Sequence, residues 1–229
     1  MGNAHAYSTF IFDLDGTVLD TLGDLVALTN VVMEHFGHAP YSREKVLSFV
    51  GNGAEVLLRR AFAPIRDEAL IADAYALWQQ LYPEYGHKYT QPYPGMPETL
   101  VELKRRGCKL GVLSNKFDAA AREVIARHYP DVFDAVRGEA PDIPRKPDPQ
   151  GLANMIKQLG SAPETVAYVG DSGATDMAVA VACGVFPIGV TWGYQETEKL
   201  LAHGAKVLID RPQDLLEYVP EVPLTGSSL

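Results

Sequence analysis

Asp13 and Asp15 stand two residues apart at the end of the apolar run Phe10-Ile11-Phe12, in the order Asp13-Leu14-Asp15-Gly16-Thr17. Residues two apart in an extended strand share a face, so both carboxylates project together while Leu14 turns into the core. Gly16 then lets the chain turn away without a steric penalty. Neighbouring carboxylates repel, and such a pair is either split in protonation or neutralised by a cation. The chemistry that suits them is a hard metal ion with divided roles, one carboxylate as nucleophile and the other as general acid and base. A solvated turn after a buried strand would use the same residues, so the pair gains weight only from partners elsewhere in the chain.

Three such segments occur downstream, in order. Gly111-Val112-Leu113-Ser114-Asn115-Lys116 reads as a strand ending in a hydroxyl, with Asp118 as N-cap of a helix over 119–128. The Ser114 hydroxyl and the amides beyond it can hold a phosphate oxygen. In Arg145-Lys146-Pro147-Asp148-Pro149 the prolines stiffen a loop and fix where Lys146 points, and Asp148-Pro149 opens a helix. An ammonium near paired carboxylates offsets their repulsion and can grip a phosphoryl oxygen. Arg145 reads as an ordinary exposed residue. In Tyr168-Val169-Gly170-Asp171-Ser172-Gly173-Ala174-Thr175-Asp176 a buried strand delivers Asp171 to ligate a cation together with Asp13. Asp176 is placed to orient Lys146 or a metal-bound water.

These residues need a scaffold that brings distant segments to one edge. Apolar runs at 8–12, 109–114, 135–137, 165–170 and 186–190, with a weaker one at 206–209, predict buried strands, each followed by a helical pattern. Continuous apolarity fits a parallel sheet covered on both faces, hence an α/β, doubly wound, Rossmann-like three-layer core. Sites in such sheets lie outside the carboxyl ends of the strands. Between the first two strands, 20–37, 42–61 and 67–89 read as helices, with Leu25, Leu28, Val32 and Phe36 forming one face. The expected organisation is a catalytic core of residues 1–18 and 93–229 and an inserted all-helical cap of 19–92 acting as a lid.

Twenty basic against twenty-nine acidic residues, a net charge of −9 and no basic run argue against nucleic acid or an anionic membrane as partner. Cys108 and Cys183 read as buried thiols of a reducing compartment. The histidines (5, 35, 38, 87, 128 and 203) form no zinc-type cluster. No signal peptide is indicated, and Met1-Gly2 is followed by Ala6 where a myristoylation signal has Ser or Thr, so the cytoplasm is expected. The uncharged stretch 177–194 is broken by Gly184, Pro187 and Gly189 and reads as helix end, turn and strand rather than a membrane span. The tail 224–229 is expected to fray.

Taken together, Asp13-x-Asp15-Gly16-Thr17, Ser114, Lys146-Pro147 and Gly170-Asp171…Asp176 resemble the four motifs of the haloacid dehalogenase-like hydrolase superfamily. Leu19-Asp20-Thr21…Asp24-Leu25, the 49–53 and 57–61 segments and Gly189-Val190-Thr191-Trp192-Gly193-Tyr194 are similar to its phosphoglycolate phosphatases. The resemblance implies Asp13 as nucleophile and Asp15 as general acid/base. It further implies Mg²⁺ held by Asp13, Asp171 and the backbone carbonyl of Asp15, and a phosphoryl group held by Ser114, Asn115 and Lys146. The substrate implied is a small phosphomonoester such as 2-phosphoglycolate, with Asn52 and Arg59 as candidate selectors in the cap. Four residues separate Asp171 from Asp176 where close relatives usually have three. Asp15 argues against dehalogenation, since a halide needs no proton. A sugar phosphomutase of the beta-phosphoglucomutase kind, a pyrophosphatase and a non-catalytic binding protein are the rival readings. A monomer or homodimer is expected.

Overall fold

Alternation along the strands sorts the core into two layers. In β1 (Thr9–Phe12), Phe10 and Phe12 pack into one apolar cluster and Ile11 into the other. In β6 (Val166–Gly170), Ala167 and Val169 join the first cluster and Tyr168 the second. A sheet buried on both faces needs this pattern. The computed structural model describes residues 6–220. His5, the Met1-Gly2 pair and the 224–229 tail lie outside them.

The remaining strands are β2 (Leu19–Asp20), β3 (Gln91–Pro92), β4 (Lys109–Phe117), β5 (Ala135–Glu139), β7 (Phe186–Val190) and β8 (Val207–Ile209). The helices are α1 (Leu22–His35), α2 (Arg43–Leu47), α3 (Ala54–Ala61), α4 (Glu68–Tyr85), α5 (Met96–Arg105), α6 (Asp118–His128), α7 (Gln150–Gln158), α8 (Ala178–Ala182) and α9 (Thr197–Ala202). A six-stranded sheet runs β5-β4-β1-β6-β7-β8 with every pairing parallel. The chain leaves β1 towards β4 and β5, then returns to β6 on the other side. β1 is therefore the point where strand order reverses, where a doubly wound sheet opens a crevice. The fold is the Rossmann-like one the strand pattern predicts.

Helices α1–α4 bury a separate cluster around Leu28, Val32, Leu58, Phe62, Ile71 and Trp78. Their two connections to the sheet pair as the antiparallel ribbon β2–β3. Asp24, 3% exposed, fixes that junction. Its carboxylate accepts bonds from the Lys88, Tyr89 and Thr90 amides (3.0, 2.8 and 2.8 Å) and from the Thr90 hydroxyl at 2.6 Å.

Several boundaries differ from the sequence-based expectation. The 42–61 segment breaks into α2 and α3, because Gly51 and Gly53 both take positive φ (112° and 83°). The helix expected to run to 89 ends at Tyr85, past Pro83, where the chain turns to meet Asp24. β4 continues to Phe117 through a register shift after Leu113. Asp118 is the first residue of α6 and not its N-cap; its carboxylate accepts the Gly138 amide at 2.8 Å instead. Among the described residues no helix is long and apolar enough to cross a membrane. Cys108 and Cys183 are unpaired.

Candidate active site

The carboxyl ends of β4, β1 and β6 lie side by side at the strand-order reversal, and each contributes charge. Lys146, on the loop before α7, reaches beneath them. Its ammonium lies 2.8 Å from Asp13 Oδ1 and 2.7 Å from Asp176 Oδ1, and it donates to the Tyr168 hydroxyl at 2.9 Å. Burial opposes the charge, yet Asp13 and Asp176 hold its pKa well above the usual lysine value. Asp13 and Asp171 are therefore within a side chain's reach of each other and of the ammonium: ligand oxygens of Asp13, Asp171 and Asp176 all lie within 4.8 Å of one another.

Three buried carboxylates against one ammonium leave two negative charges uncompensated. Burial, then the Asp176 charge, raises the Asp13 pKa to about 7, with Lys146 opposing. Burial together with Asp176 and Asp13 raises Asp171 likewise. Asp13 Oδ1 is buried and makes no aligned hydrogen bond despite the nearby ammonium. A divalent cation bound by hard oxygen ligands fits this deficit. The cradle is shaped by close backbone approach. Gly16, at φ 84°, and Gly193 both press on Asp171, and a Cβ on either would collide with its carboxylate or Cβ. The Tyr194 amide fixes Asp171 Oδ2 at 2.6 Å.

Asp176 has both oxygens engaged, Oδ1 by Lys146 and Oδ2 by the Ser172 amide at 3.0 Å. Both of its oxygens thus already have partners within the protein. The additional residue in its motif is absorbed locally: Gly173–Met177 is a π-helical turn in which the Asp176 and Met177 amides both donate to the Ser172 carbonyl at 3.0 Å. Such a bulge accommodates one inserted residue without shifting the helix beyond it.

Asp15 has a different set of partners. Its Oδ1 accepts the Thr21 hydroxyl at 2.6 Å and the Lys116 ammonium at 3.2 Å, and no described residue bonds its Oδ2. Tyr194 supports this arrangement, its hydroxyl taking the Thr21 amide at 2.8 Å and donating to Asp20 at 3.0 Å. Ser114 lines the site and accepts the Lys116 amide at 3.2 Å.

Asn115, the implied phosphate contact, lines the cavity and has its side chain engaged within the protein. Its amide nitrogen donates to the Gly51 and Lys146 carbonyls (3.2 and 3.1 Å) and its oxygen accepts the Lys146 amide at 2.7 Å. With both donors spent, the side chain fixes Lys146 and tethers α2–α3 to the sheet. Asn52 and Arg59, the candidate selectors in the cap, do not line the cavity in this structure. Arg60 binds Asn52 at 2.7 Å, and Arg59 is held by Glu55 and Glu68 at 2.9 and 2.6 Å.

A cavity of about 380 Å³ opens above these groups. Its floor is Asp13, Asp15, Ser114, Asn115, Lys116 and Asp171; Leu25, Leu47, Val50, Leu57, Trp78 and Tyr82 roof it from the helical insert. Two residues here went unassigned in the sequence. Lys116, 7% exposed, has its ammonium against Asp15 and 5.2 Å from the centre of the Tyr82 ring. The signal was present: a lysine two residues past Ser114, at the same sheet edge. Arg145, read as solvated, joins Glu139 at 2.6 Å to Glu55 of α3 at 2.8 Å.

A parallel sheet that gathers acidic residues and a buried lysine at its reversal point beneath a helical roof defines a class. The sequence profile of the haloacid dehalogenase-like hydrolases matches residues 10–190, and the chain belongs to that family. Phosphoglycolate phosphatase 1 of Pseudomonas aeruginosa is 33% identical, across 96% of this chain and 83% of its own length. The phosphoglycolate phosphatase of Vibrio cholerae is 32% identical, across 91% and 95%. A crystal structure from Lactobacillus delbrueckii subsp. bulgaricus, provisionally named a phosphoglycolate phosphatase, superposes with a TM-score of 0.86 at 29% identity, covering 94% of this chain and all of that one. Within the family the protein is a phosphatase of the phosphoglycolate phosphatase-like group.

Proposed function

We propose that the protein hydrolyses a small phosphomonoester, 2-phosphoglycolate or a close analogue, through a phosphorylated Asp13. The observation that carries this reading is the division of labour around Asp13. One buried ammonium and an excess of two negative charges gather around Asp13, Asp171 and Asp176, while Asp15, also on the cavity floor, keeps one oxygen uncommitted. Asp13, Asp171 and the Asp15 carbonyl would hold Mg²⁺, which supplies charge neutralisation for the phosphoryl group.

Lys146 screens the approach of a phosphate dianion to the Asp13 anion. An Asp13 oxygen attacks phosphorus in line, and the ester P–O bond breaks as Asp15, protonated, gives its proton to the departing alkoxide. Asp15 then takes a proton from water, whose oxygen cleaves the acyl phosphate and regenerates Asp13. The Ser114 hydroxyl steadies a phosphoryl oxygen. Residues 19–92 act as the cap over a core of 1–18 and 93–229, with the apolar roof excluding bulk water. Two unpaired cysteines support a reducing, cytoplasmic setting.

The test is inorganic phosphate release from 2-phosphoglycolate with Mg²⁺ and after chelation. Activity is expected only with the metal, and Asp13→Asn is expected to abolish it. Wild-type rates in Asp13→Asn would sink the mechanism, and isomerised product without phosphate release would favour a mutase.

A further inference from the structure

We propose that Lys116 is the specificity-determining cation of the cavity, recognising a carboxylate on the leaving group adjacent to the ester oxygen. This rests on the phosphatase reading above and adds the residue that selects among phosphate esters.

The argument begins with which positive charges near the cavity are spent. Lys146 has Asp13, Asp176 and Tyr168 as partners. Arg145 is shared by Glu55 and Glu139, Arg59 by Glu55 and Glu68, and Arg60 by Asn52 and the Phe49 carbonyl. Lys199 lines the cavity, but its side chain is 60% exposed and paired with Glu196 at 3.4 Å. On the cap side Glu44 adds a negative charge that repels an anion.

Lys116 differs from all of these. It lines the cavity with its side chain 6% exposed, and its single anionic contact, to Asp15, is 3.2 Å long. Charge-assisted bonds usually close to about 2.7–2.9 Å. An ammonium has three donors, and the Tyr82 ring face at 5.2 Å offers it no lone pair. The Tyr82 hydroxyl, buried nearby without an aligned hydrogen bond, joins Asp15 in favouring the charged ammonium and leaves at least one donor spare. A buried cation with spare donors is costly unless a ligand completes it.

Position gives the ligand's chemistry. Asp15 must touch the leaving oxygen, and Lys116 touches Asp15. A group held by Lys116 is therefore one short step beyond that oxygen. In a 2-phospho ester of a 2-hydroxy acid, the carboxyl carbon sits two bonds from the leaving oxygen, which meets this geometry. The methylene stem of Lys116 against Tyr82 sets the angle of approach.

The experiment compares kcat/KM for 2-phosphoglycolate and for ethyl phosphate, which lacks the carboxylate, in wild type, Lys116→Met and Lys116→Arg with Mg²⁺ present. Wild type is expected to prefer 2-phosphoglycolate by about 10²-fold. Lys116→Met is expected to cut that ratio at least tenfold, mostly through KM, while Lys116→Arg retains most of it. Equal losses on both esters in Lys116→Met would mean that Lys116 serves only Asp15, and would overturn the assignment. So would the same ratio in both variants. Should neither variant fold, the wild-type ratio decides, and a value near one overturns the proposal. Ethyl phosphate keeps the two readings apart. If wild type hydrolyses neither ester, the phosphatase reading fails; if it hydrolyses both alike, only the Lys116 assignment does.

Discussion

The floor and the roof of the cavity are built on opposite principles. At and beneath the floor many polar groups are held by one another, Lys146 by three groups, Asp176 at both oxygens and Asn115 at both ends of its amide, while Asp15 Oδ2 and the Lys116 ammonium keep capacity to spare. The roof, drawn from α1–α4, is mostly hydrocarbon and aromatic ring. A floor of this kind fixes one geometry and one reaction. A roof of this kind excludes water and can accept side-chain changes without disturbing the charges beneath it.

Substitutions can sharpen that contrast or break it. After the abolition expected at Asp13→Asn, the largest effect is expected at Asp15→Asn, which removes the proton donor but keeps the shape. Turnover should fall by roughly 10²–10⁴-fold, with a phosphorylated protein accumulating by mass spectrometry when the alcohol is a good leaving group. In the roof, Trp78→Ala empties a fully buried site and should cost about 3–5 kcal/mol of stability by denaturant melts. Its KM should rise more than its kcat falls. If kcat collapses instead, floor and roof are not separable.

The floor also predicts a pH response that the roof should not share. Asp13 has its carboxyl raised from 3.8 to about 7. Between those values the folded state holds a proton that the unfolded chain has lost. Stability in the presence of a chelator should therefore decline as pH rises from about 4 to about 7, on the order of 1 kcal/mol per pH unit. Mg²⁺ should oppose the decline, because it binds the ionised form, and its own affinity should weaken as pH falls through the same window. Melting temperatures with and without Mg²⁺ across that range check both statements. The smallest effect is expected at Glu55→Gln, which loosens the Arg145 bridge between roof and floor. A half-exposed pair of this sort is worth about 0–1 kcal/mol, so KM should rise only a few-fold.

Much of this was legible in the residues. Continuous apolar runs marked all six strands of the main sheet, because a parallel sheet has no polar face to blur the pattern. The acidic residues were legible because each sits at the end of such a run. What stayed hidden depended on contacts between segments far apart in the chain. The Asn115 side chain looks free until Gly51 and the Lys146 peptide take its amide. Arg145 looks solvated until α3 folds over it. Arg59 looks available until Glu55 and Glu68 enclose it. The unusual spacing before Asp176 could be noticed in sequence, but only hydrogen bonding shows that a π turn takes up the surplus residue.

The Asp24 carboxylate, by capturing three consecutive amides of the returning chain, turns two separate crossings into one axle. A body mounted on a single axle can swing but cannot slide. An outward swing would also have to part the ties that join Gly51 to Asn115 and Glu55 to Arg145.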